Sequence, residues 1–145
     1  YIIGPFPNPN RENLDKKFPP ESAVDLDGVY IGARGKRVRW QFRQSATVCV
    51  FPHEPDNYMI WYAYSEVYSE KEQDRWCIFG SDDFGKCWVN DELVFTSGKT
   101  PHPWIPDRGY AQVRFKRGYN KVLFKLENAW GNTGFSMCIF LGDNL

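Results

Sequence analysis

From residue 30 onward, apolar side chains fall in short runs that alternate with polar ones every second position. This is the spacing of half-buried strands and not of helices. The pattern predicts strands at 38–42, 46–51, 58–67, 76–80, 86–90, 93–96, 111–115, 121–127 and 135–141. Clusters of Pro, Asn, Asp, Ser and Gly separate them at 52–57, 69–74, 90–91, 117–120 and 128–134. No stretch has convincing 3.6-residue periodicity, although one helical turn fits 69–73. Many short strands joined by regular turns predict an all-β fold, an antiparallel β-sandwich of jelly-roll type.

The alternation also sorts faces. Cys77, Phe79, Cys87 and Val89 read as one inward set, on strands joined as a hairpin. Val122, Phe124 and Leu126 read as a second, with Lys121 and Lys125 outward, and Phe135, Met137 and Ile139 as a third. The opposite parity places Tyr62, Tyr64, Trp76 and Trp88 on an outer face, where rings stand in place of charges. The start of the chain differs. Five prolines in the first twenty residues rule out a helix or a central strand there. Only Tyr1, Ile2 and Ile3 are expected to pair, and 4–28 reads as an extended arm. Either that arm, with Phe6 and Phe18, lies across the ring-bearing face, or the face is a binding platform.

The 145 residues make one domain, 1–145, large enough for a single core. Eleven Phe, eight Tyr and six Trp are more rings than such a core takes easily, because each buried indole N–H and phenol O–H needs a partner. Some rings should therefore be exposed. Eighteen basic and eighteen acidic residues cancel, so the field that nucleic-acid binding needs is absent. The run Arg34-Gly35-Lys36-Arg37-Val38-Arg39 is the exception, read as solvated charges at a strand start or as a phosphate site. No apolar run of about 18 residues is present, so no membrane span is expected, and no signal peptide is seen. The abrupt start at Tyr1 is expected of a module within a longer protein. Cys49, Cys77, Cys87 and Cys138 lack metal-ligand spacing and sit in apolar runs. Cys77 and Cys87, read as neighbours, are either buried thiols or a pair.

Catalytic signatures are missing: both histidines, His53 and His102, lie in proline-flanked loops, and there is no nucleophile elbow, phosphate loop or dinucleotide fingerprint. The expectation is a protein that is not an enzyme. Saccharide recognition needs flat rings for the C–H face of a pyranose and planar polar groups for its hydroxyls. Three places combine them. The loop 97–110 carries Trp104, Asp107 and Arg108, stiffened by three prolines. The loop 128–134 carries Trp130 and Asn132 among small residues. The outer face carries Tyr62, Tyr64, Trp76 and Trp88. In each, a packing role is the alternative to a polysaccharide or oligosaccharide site.

Two blocks carry a resemblance. Gly80-Ser81-Asp82-Asp83 leads into residues 86–94, and residues 115–128 end in Trp130-Gly131-Asn132-Thr133-Gly134-Phe135. Together they resemble the galactose-binding-like jelly-roll domains that accompany polysaccharide-degrading enzymes, the sugar-binding domain of family 2 glycoside hydrolases among them. The opening, residues 4–9 with residues 18–21 and 38–40, is similar to modules of large secreted bacterial proteins. The resemblance implies a secreted, bacterial, non-catalytic carbohydrate-binding module, or else a structural domain packed on the catalytic domain of its parent chain. The Ser81-Asp82-Asp83 loop is also similar to the paired-aspartate loop of protective-antigen-like adhesin domains. That implies calcium held by Asp82 and Asp83, against the plainer role of two carboxylates accepting backbone N–H bonds. The related pattern has Asn-Gly where this chain has Asn90-Asp91, and its loop reaches Gly directly where Phe84 intervenes here.

Overall fold

The computed structural model describes residues 1–98 and 100–140. Ten strands form: β1 Ile2–Pro7, β2 Val29–Ile31, β3 Arg37–Arg39, β4 Met59–Ser69, β5 Gln73–Asp82, β6 Phe84–Val89, β7 Glu92–Thr96, β8 Gly109–Phe115, β9 Gly118–Asn128 and β10 Gly134–Ile139. All pairs are antiparallel. A five-stranded sheet of order β1-β4-β9-β6-β7 faces a three-stranded sheet of order β10-β5-β8, and β2 pairs with β3 in a separate ribbon. The all-β sandwich expected from the alternation is therefore present. Among the described residues no helix is long and apolar enough to cross a membrane.

The three inward sets do meet. Cys77, Phe79, Val113 and Phe115 from one sheet pack on Cys87, Val89, Phe95, Val122, Phe124 and Leu126 from the other. Phe79 stacks on Phe95 at 4.8 Å between centroids, and Phe124 lies 4.9 Å from Phe135. Burying each such ring contributes roughly 1.5–3 kcal/mol. The Asn90-Asp91 turn closes β6 on β7 with both residues at positive φ, 49° and 69°, as a two-residue hairpin requires.

The connections differ from the expected ones. β5 and β6 are not a hairpin. The chain leaves the three-stranded sheet at Asp82 and enters the five-stranded sheet at Phe84, so Asp83 is the corner between layers. Cys77 and Cys87 consequently face each other across the core instead of lying side by side, and all four cysteines are free thiols. Burial pushes the Cys77 thiol up to about 12. The corner also carries the outward parity of β5 and β6 to opposite sides of the molecule. Trp76 lies outside the smaller sheet and Trp88 outside the larger, so the four-ring platform does not form. Residues 69–73 hold no helix; they end β4 and begin β5. Of 46–51, only Val50 pairs, in a single bridge to Phe135. The last strand stops at Ile139, and residue 141 lies outside the described residues.

The N-terminal segment pairs further than its prolines suggested. β1 runs through Pro5 and Pro7 because its register against β4 shifts between Ile3 and Phe6, an irregularity that accommodates the missing N–H. Gly4 makes this possible. Its φ is +142°, and a Cβ there would sit 2.6 Å from the Trp61 ring. Beyond β1 the arm, with one helical turn at Pro19–Ser22, crosses the outer face of the larger sheet. Phe6 and Phe18 pack on Tyr62 at 5.8 and 6.5 Å. Lys125, expected outward in solvent, is fully buried beneath the arm. Its Nζ donates to Glu21 Oε1 and to the Lys16 carbonyl, both at 2.7 Å. Glu127, also fully buried, accepts from Asn8 at 2.7 Å and from Arg11 at 3.0 and 3.2 Å.

Candidate functional site

Each candidate ring has a definite place. Tyr62 is 0% exposed, and its hydroxyl donates to Glu21. Burial, reinforced by that carboxylate, pushes the phenol far up. Tyr64 is 8% exposed, edge-on to Trp40, with its hydroxyl on Glu66 at 2.8 Å. Neither offers a face to a ligand. Trp88 is half-buried and, with the edge of Tyr64, borders a groove of about 500 Å³ beneath the helical turn of the arm. Trp76 is half-buried on the other side of the molecule, against the exposed Tyr110 at 6.3 Å.

The remaining candidates converge on one end of the sandwich, around the Asp82–Asp83 corner. The Asp83 N–H donates to the Glu127 carbonyl at 3.0 Å. Its carboxylate Oδ2 accepts from the Ala129 N–H at 2.8 Å. The Asp82 carbonyl accepts from Thr133 Oγ1 at 2.8 Å. The loop 129–133 is thus stitched to the corner from both sides. Burial first, and then the neighbouring Asp83 charge, raise the Asp82 carboxyl above its ordinary value of 3.8, against the opposing effect of the Trp104 N–H, Arg108 and His102.

Arg108 has a different task from the expected grip on hydroxyls. Its guanidinium donates to the carbonyls of Ser81, Asp83, Thr100 and His102, pinning the loop 100–108 to the corner. Trp104 is half-buried, and its Nε1 donates to Ser136 Oγ at 3.1 Å. Its ring lies over Gly80, where a Cβ would sit 2.8 Å from the indole nitrogen. It covers the end of the smaller sheet and is not a free shelf. Asp107 is exposed on the same loop.

Trp130 is the open ring of this end. It is 62% exposed, 6.5 Å from the half-exposed Tyr58, and Asn132 beside it is exposed. The loop beneath is braced by Asn57 Oδ1, which accepts from the Gly131 N–H at 3.0 Å. Asn128, one residue before the Ala129 amide that holds Asp83, completes the set. Its Nδ2 donates to the Asp56 carbonyl at 2.9 Å, while its buried Oδ1 has no partner. Ser81 Oγ, at the opposite flank of the corner, is buried and unpartnered too. Asn128 was missed as a site residue because it ends an apolar run, where an Asn reads as a strand terminator.

The plainer role is present at both aspartates, Asp83 accepting from the Ala129 N–H and Asp82 from the Trp104 N–H; oxygen donors of this kind are also what the expected calcium would take. A hard cation takes carboxylate and amide oxygens; the corner supplies two adjacent carboxylates, and the unpartnered Asn128 Oδ1 lies at the end of the strand that leads into the Ala129 amide holding Asp83. Among the described residues no third carboxylate, imidazole or thiol joins the pair, so an amide such as Asn128 would have to supplement it.

No protein-family profile matches the chain, and no curated protein does. Among solved structures, it is similar to the β-glucosidase of Kluyveromyces marxianus, determined in complex with glucose, at 14% identity and a TM-score of 0.57. The match covers 99% of this chain and 16% of that one. The two share a fold, and this chain spans about a sixth of the longer protein.

Proposed function

We propose that this chain is a non-catalytic carbohydrate-binding module of a secreted polysaccharide-degrading enzyme, and that it binds glycan at the Asp82–Asp83 end of the sandwich. The observation that carries the reading is the unpartnered, buried Asn128 Oδ1, one residue before the Ala129 amide that holds the Asp83 carboxylate and two before the exposed Trp130. A buried polar atom left unpaired costs about 1–3 kcal/mol. A ligand that completed it would recover that cost. Asp82, Asp83 and Asn128 would hold calcium, which supplies a coordination point for sugar hydroxyls. Trp130 would stack on the C–H face of a pyranose, and Asn132 and Asp107 would reach its remaining hydroxyls. Trp104 and Arg108 serve as positioning residues, holding the loop 100–108 against the corner. That the fold recurs in a glycosidase bound to glucose agrees with a sugar ligand.

A second reading, a structural domain packed on a catalytic domain of the parent chain, is favoured by the exposed Tyr110 beside Trp76 on the smaller sheet. Such a ring pair suits an interdomain contact. A glycan array probed with the isolated chain, with calcium and with chelator, separates the two. Calcium-dependent retention of a neutral glycan supports the module. No retention, with self-association lost in Tyr110→Ser, supports the structural domain.

A further inference from the structure

The chain carries no Asp or Glu between Asp27 and Glu54, yet that stretch holds Arg34, Lys36, Arg37, Arg39 and Arg43. In a protein of zero formal charge this is a local surplus of cations. Among the described residues the ion pair made by this stretch is that of Arg34 with Asp56, at 2.9 Å. Arg37 and Arg39 alternate with the buried Val38, so both project from the outer face of the β2–β3 ribbon, about 7 Å apart along the strand. Directly opposite them stand Ile31 and Val29, not carboxylates. Among the described residues no ion pair engages Lys36, Arg37 or Arg39.

These three cations and His53 line a cleft of about 360 Å³ between β1 and β3, where Glu54 is the sole acidic lining residue among those described. Its floor is rigid: Pro5 on β1 and the indole of Trp61, buried to 2%. We propose that this cleft is a second binding site, for a saccharide bearing a carboxylate or sulfate group. Guanidinium forks bind such groups through paired, charge-assisted hydrogen bonds, and two forks on one strand face can grip successive anionic groups. The Pro5 ring gives an apolar surface for the sugar body. A nucleic acid fits less well. Three of the five cations line one cleft on a protein of zero formal charge, too small a cluster for a phosphate backbone, and the Trp61 that lines it is buried too deeply to stack on a base.

The cleft and the Asp82–Asp83 end share a wall. The loop 52–57 lends His53 and Glu54 to the cleft, while Asp56 and Asn57 brace Asn128 and Gly131. Binding in the cleft needs neither Asp82 nor Asp83. Affinity electrophoresis of the chain through polygalacturonate or dextran sulfate, with dextran as the neutral control and duplex DNA as a rival polyanion, tests the assignment. Retardation by at least one acidic glycan, weakened by salt, is expected. It should fall about tenfold in affinity in Arg37→Gln/Arg39→Gln and less in Lys36→Gln, with the melting temperature unchanged because all three side chains are exposed. Asp82→Asn should leave it intact. Retention of acidic glycan with no calcium-dependent neutral binding would overturn the Asp82–Asp83 reading and uphold this one. Equal retardation of the double variant, no retardation by either acidic glycan, or DNA bound more tightly than both would overturn the cleft assignment.

Discussion

The arm-covered face of the larger sheet and the Asp82–Asp83 end are built from the same kinds of residue, carboxylates, amides and large rings, yet they are finished differently. Under the arm the polar groups are answered. Glu127 has three donors, Lys125 has two acceptors, and the Tyr62 hydroxyl reaches Glu21. The one exception there is Trp40, whose Nε1 has no partner. At the other end two carboxylates crowd together, an amide oxygen and a hydroxyl are buried unpaired, and Trp130 stands in solvent. A closed polar network fixes structure, and an open one leaves something for a ligand to complete. Ring content alone does not distinguish the two regions; hydrogen-bond satisfaction does.

The largest effect that could break this contrast is on stability. Glu21→Ala strands the buried Lys125 ammonium and the Tyr62 hydroxyl together, and should cost about 3–5 kcal/mol in urea unfolding. Asp82→Asn should leave the unfolding midpoint near wild type in the absence of calcium. If the two variants lose stability equally, the ends are not different in kind.

Next comes calcium. At a hundredfold excess over its dissociation constant, a ligand bound only by the native state adds about 2.7 kcal/mol. The melting temperature should rise by several degrees in wild type, and Asp82→Asn and Asn128→Leu should abolish the rise. Sugar binding sharpens the comparison further. Trp130→Ala should weaken glycan affinity about tenfold, whereas Trp88→Ala, beside the arm, should not change it. The reverse result would move the site to the groove under the arm.

The smallest effect is with pH. The Asp82 carboxyl is raised, so the folded protein holds that proton more tightly than the unfolded chain does. Its contribution to stability therefore improves as pH falls through the raised value toward 3.8, and the penalty returns as pH rises. Calcium binding should move the opposite way and weaken over that same acid window, because the proton and the cation compete for one carboxylate. Calorimetric titrations at a series of acid pH values check the sign.

Much of this was legible along the chain. The alternation of residues 121–127 named the inward face, and Asn90-Asp91 named its turn. What period-2 spacing cannot say is what lies over the other face. Lys125 reads as outward, and Glu127 shows no sign of a role, because their partners, Glu21 and Arg11, are more than a hundred residues away. Nor can a Ser-Asp-Asp cluster say whether the chain folds back in one sheet or crosses to the other, since either needs the same turn-formers. That ambiguity put Trp76 and Trp88 on one face when they belong to opposite sides. The Asp82–Asp83 end was legible as a set of loops, but not Asn128, whose meaning appears only when its amide oxygen is left without a donor.

The account rests on the Asp82–Asp83 end being the open one. Isothermal titration of the chain with a glycan selected on the array, in calcium and in chelator, for wild type and Asp82→Asn, tests this most directly. Calcium-dependent heat in wild type and none in Asp82→Asn is the predicted result. The same heat in both proteins would contradict it.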